Sequence, residues 1–81
     1  MKTKILDLTG EWQLVADTDQ TYDVLVEFGS ALFCLSENAP DDSQPGQNVG
    51  AGRWLKFTDV RAWFKTNLTG SYISISSYGA Q

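Results

Sequence analysis

The sequence predicts an all-β domain: a small antiparallel β-sandwich or barrel of about six to eight short strands, with one long polar loop over residues 37–53. Three observations carry this expectation. Apolar and polar residues alternate in several short runs, the period of a half-buried strand. Turn-forming clusters separate the runs at intervals of about 8–12 residues, the spacing of sandwiches and small barrels. No long stretch repeats with the 3.6-residue period of an amphipathic helix.

In chain order, Glu11 to Ala16 places Trp12, Leu14 and Ala16 on one side of an extended segment. Tyr22, Val24, Val26 and Phe28 then share one face, with Thr21, Asp23, Leu25 and Glu27 on the other. Ala31 to Leu35 is nearly all apolar and fits a central strand covered on both faces. Residues 37–53 hold two Pro, three Gly and a single sizeable aliphatic residue, Val49. That stretch is too polar for the core and too long for a hairpin turn, so it is expected to cross the surface. Trp54 to Phe57 is a short strand-like run. Val60, Ala62 and Phe64 alternate with Arg61, Trp63 and Lys65. Ser71, Ile73, Ile75 and Ser77 alternate with Tyr72, Ser74 and Ser76. Thr9-Gly10, Asp17-Thr18-Asp19, Gly29-Ser30 and Asn67 to Gly70 supply the turns.

The 81 residues allow one domain, 1–81, and a chain of this size buries only about 60% of its unfolded surface. Ten aromatic residues within a 42% hydrophobic composition provide a core that disordered chains lack. The net charge of −4 argues against nucleic acid as a partner, since that needs an excess of Lys and Arg. The charge is also divided. Residues 1–45 carry nine acids and two lysines, a net of −7, whereas residues 46–81 carry four bases and Asp59, a net of +3. Either strands of the two parts pair and the charges meet within one molecule, or an acidic and a basic face promote self-association.

Residues for chemistry are sparse. There is no His and one Cys, and Cys34 lies in an apolar run where a thiol acts as a small hydrophobe. A thiol nucleophile would need a base. Asp41-Asp42 lack the spaced oxygen donors of a calcium loop and read as a solvated acidic loop. Gly46, Gly50 and Gly52 lack the Gly-Lys-Ser/Thr ending of a phosphate cradle. Asn67-Leu68-Thr69 matches a glycosylation sequon but serves equally as a hairpin turn. No catalytic residue, metal ligand or cofactor is predicted, and the chain is expected not to be an enzyme. The N-terminus has no apolar stretch of signal-peptide kind, and no run is long enough for a membrane span. Synthesis in the cytoplasm, with no membrane partner, is therefore expected.

Trp12 and Trp54 are expected in the core, because an indole buries a large area. Trp63, between Arg61 and Lys65, is expected to be an exposed aromatic anchor at an interface. An acidic surface would cover it, supplied either by residues 1–45 of a neighbouring copy, Asp41 and Asp42 among them, or by an acidic capsid surface.

Trp12 to Asp17, Tyr22 to Gly29, the Ser36-Glu37-Asn38-Ala39-Pro40 corner, the Gly-rich loop, Gly52 to Phe57, Val60 to Lys65 and Thr69 to Ile75 together form a familiar pattern. It resembles the small β-rich virion proteins of tailed bacteriophages, found as capsid decorations or as parts of fibres and spikes. The resemblance implies a non-enzymatic structural role in the virion, with self-association, a trimer by similarity to threefold appendages, and docking on the major capsid protein or other virion proteins. A small carbohydrate- or ligand-binding β-module using exposed aromatics is the alternative. An acidic mimic of nucleic acid ranks third, because the acids are scattered among turns.

Overall fold

A computed structural model describes residues 2–41 and 43–79, and the described residues form eight strands and no helix. They are β1 (Lys2–Asp7), β2 (Gln13–Ala16), β3 (Gln20–Phe28), β4 (Ser30–Leu35), β5 (Gln47–Gly50), β6 (Trp54–Thr58), β7 (Ala62–Lys65) and β8 (Tyr72–Gly79). Every pairing is antiparallel. The first sheet has the order β1-β8-β3-β6 and the second β2-β7-β4-β5. The outermost strands of the sequence pair with each other, then the next pair inward, down to β4 with β5. The chain is thus one long hairpin rolled up into two four-stranded sheets, the topology of an eight-stranded jelly roll.

The core lies between the sheets, where Val24, Val26, Ile73 and Ile75 of the first meet Ala31, Ala62 and Phe64 of the second. Phe33, Phe57 and Phe64 pack at ring separations of 5.6–5.9 Å. Alternation along β7 and β8 follows the sequence expectation: Ala62, Phe64, Ile73 and Ile75 point inward.

Two strands were not visible in the pattern. β1 uses the Lys-rich N-terminus, and β5 lies inside the predicted loop. Val49 is the reason for β5: it is buried opposite Ala31, and backbone pairing with β4 needs nothing else from its polar neighbours. The irregular connection is consequently 36–46.

Two bulges also shift the faces. One between Leu14 and Ala16 buries both Val15 and Ala16 and leaves Leu14 exposed. The other, between Val26 and Phe28, turns Phe28 away from the core that holds Val24 and Val26. Gly29 follows directly, with φ at +80°.

Candidate functional site

Arg61, Trp63 and Lys65 sit on the outward side of the second sheet, as their alternation with Ala62 and Phe64 requires. Trp63 is half-buried rather than an exposed anchor. Its indole N–H donates to the Ser36 carbonyl at 2.9 Å. Arg61 donates through Nη1 to the Glu37 carbonyl and through Nε to Asp17 Oδ1, both at 2.8 Å. Lys65 Nζ lies 4.6 Å from the Trp12 ring centre, a cation–π contact. Trp12 in turn donates to the Asp41 carbonyl at 3.1 Å. Three side-chain donors therefore hold the 36–46 connection against this face at Ser36, Glu37 and Asp41.

Asp41 forms the local turn of that connection, its Oδ1 accepting from the Ser43 hydroxyl at 2.6 Å and the Ser43 N–H at 3.0 Å. These bonds hold its carboxyl below the usual carboxylate range. Asp42 lies outside the described residues. The structure thus brings Asp41 to the same face of the same molecule as Arg61, Trp63 and Lys65. Cys34, also directed to this side opposite Trp63, is buried beneath the connection, and burial pushes its thiol pKa up.

Part of the charge is paired within the molecule. The two ion pairs among the described residues, Arg61–Asp17 at 2.8 Å and Lys56–Asp23 at 4.0 Å, each join the acidic part to the basic part. Asp17 is held below its ordinary value first by the Arg61 guanidinium and then by the Thr18 N–H. Asp23 also accepts from the Tyr78 hydroxyl, which raises the Tyr78 pKa. Beside Arg61, a cleft of about 530 Å³ is lined by Leu35, Glu37, Asp59 and Val60 among others. Arg61 already spends two of its donors on Asp17 and Glu37 there. No cluster of three or more metal-ligating side chains occurs among the described residues.

Three of the exposed large apolar side chains gather on the other sheet. Register places Ile5, Ser74, Leu25 and Trp54 side by side across all four strands of the first sheet, facing outward. The next row holds Asp7, Tyr72 and Phe28, whose ring stacks on Tyr72 at 6.2 Å. Ile5, Phe28 and Trp54 are 58%, 56% and 63% exposed. The row on the opposite side is polar and bonded internally: Thr3 with Ser76, and Asp23 with Lys56 and Tyr78. Trp54, expected in the core, is the most exposed of these. The reason is strand phase: Leu55 and Phe57 take the inward positions of β6, so Trp54 must point out.

No protein-family model, curated protein or solved structure matches the chain.

Proposed function

We propose that this chain is a non-enzymatic virion structural protein of a tailed bacteriophage, a capsid decoration or fibre component that self-associates and docks on other virion proteins. The observation that carries the reading is the exposed apolar row on the first sheet. An 81-residue jelly roll has little core to spare, yet three large apolar side chains remain more than half exposed on one sheet face. Such a patch is the mark of an association surface. The topology supports the reading by analogy, since jelly rolls recur in viral capsid proteins. The polar groups agree with it. Asp17, Asp23, Asp41 and Asp59 all accept bonds that fix turns or strands.

The test is the protein's presence and copy number in purified particles. Multiple copies at symmetry-related positions are expected. Absence from particles, with abundance in the infected cell, would overturn the reading. Exposure of Trp54 beside Phe28 and Tyr72 favours a second reading, a carbohydrate-binding module, because aromatic faces stack on sugars and lectin domains also use this topology. A saturable shift in tryptophan emission with one member of a glycan panel would promote it.

A further inference from the structure

We infer that the outward face of the first sheet is where two copies of this chain meet, face to face about a two-fold axis, with Trp54 of each covered by Phe28 and Tyr72 of the other. The inference rests on the self-association proposed above and names its surface and symmetry.

Composition comes first. Ile5, Leu25, Trp54, Phe28 and Tyr72 form an apolar centre, and Asp7, Asp23, Lys56 and Thr3 border it. Apolar centres with polar rims are the anatomy of protein interfaces. Shape comes next. A sheet face is matched by another sheet stacked about 10 Å away. A second copy presents the same twist and the same pattern. Size limits the contact to a small one. The molecule measures 36 × 25 × 15 Å, and an ellipse on its two long extents covers about 700 Å². Each partner in a standard interface gives up about 800 Å².

Register then selects the axis. Neighbouring strands lie about 4.8 Å apart and alternate residues about 6.8 Å apart, so the face is a nearly square grid. Asp7, on β1, and Lys56, on β6, occupy opposite corners around the Ile5–Ser74–Leu25–Trp54 row. A two-fold axis in the interface plane, along the other diagonal, lays Asp7 of each copy over Lys56 of its mate. The same rotation carries Trp54 onto the space between Phe28 and Tyr72. The strands of the two copies then cross nearly at right angles, one of the two ways in which sheets pack. A two-fold contact of this kind closes at two chains. The trimer expected from the phage resemblance is not compatible with it.

The test is the mass in solution of the full chain and three variants, at about 100 µM protein and low salt, where surface charges are least screened. Wild type is expected at two chains. Trp54→Ala should weaken dimerisation about thirty-fold or more, the hot-spot threshold expressed as an affinity, with an unchanged circular dichroism spectrum. Asp7→Lys and Lys56→Glu should each weaken it as well, because each homodimer then opposes like charges twice. Mixing these two variants should restore a dimer, since every facing pair in the mixed species is again opposite in sign.

A wild-type mass of one or three chains would overturn the inference. So would a mixture of Asp7→Lys and Lys56→Glu that stays dissociated while both remain folded, or a wild-type monomer that binds a glycan through Trp54. An oligomer that survives all three variants would place the contact elsewhere and leave self-association standing. Particle incorporation tests the virion reading separately.

Discussion

The Trp63 indole N–H donates to the Ser36 carbonyl oxygen at 2.9 Å, joining the middle of β7 to the start of the 36–46 connection. The bond makes Trp63 a residue of the folded monomer. Trp63→Phe keeps most of the ring contact and removes the donor, so a loss of about 1 kcal/mol is expected. Trp63→Ala also removes the half-buried ring and should cost about 2–3 kcal/mol. Denaturant titration of both variants checks this. Equal stabilities for Trp63→Ala and wild type would show that the ring holds nothing in place.

Two glycines should respond in opposite ways to the same change. A Cβ on Gly29 would sit 2.0 Å from Ser71 Oγ and 3.1 Å from Ser71 Cα, on a backbone with φ of +80°. Ser71 cannot simply move aside, because its hydroxyl donates to the Leu68 carbonyl at 2.8 Å and accepts from the Ser30 N–H at 3.1 Å. Gly29→Ala is therefore expected to cost about 3 kcal/mol or more. A Cβ on Gly10 meets nothing within 4 Å. Gly10→Ala should be neutral or stabilise by up to about 1 kcal/mol through the unfolded chain. Thermal unfolding of the two variants side by side provides the comparison.

Acid should weaken the fold in part through Asp17. Its folded-state pKa is depressed by Arg61 and the Thr18 N–H, so the unfolded chain takes up its proton first as pH falls. The stabilisation is present above about pH 4 and is lost as pH drops through the lower, folded-state value. The pair is solvent-exposed, so the effect is small and declines with salt. Unfolding midpoints measured from pH 6 downward should fall less steeply for Asp17→Asn than for wild type. Parallel acid limbs would mean that Arg61 does not hold the carboxylate.

The alternation of β7 and β8 was readable because each strand keeps a strict period of two from end to end, and Phe64 and Ile73 landed in the core as that period requires. The aromatic face was not readable, for three physical reasons. Phe28 follows a bulge, and one extra residue reverses the side to which every later residue points. Ile5 lies on a strand that opens with Lys2, Thr3 and Lys4, which show no apolar alternation, and the strand forms because β8 offers an edge for pairing. Trp54 begins a five-residue strand, and its phase is set by pairing with Leu25 and by Leu55 and Phe57 turning inward, which a large indole outweighs in any composition argument. Trp63 lies on the strand face that alternation assigns, and its partial burial was not readable because the connection that covers it arrives from residues 36–46, which only the folded chain brings there.

The surface proposed for self-association is the first sheet's outward face, not the face that carries Trp63. The three indole N–H signals of the wild-type chain report on it in one titration of protein concentration followed by nuclear magnetic resonance. Trp12 and Trp63 donate to the Asp41 and Ser36 carbonyls within the monomer, so their signals should hold still. Trp54, 63% exposed on the first sheet, should shift or broaden as concentration rises, in step with the measured mass. A Trp54 signal that stays fixed while Trp63 moves would contradict the account.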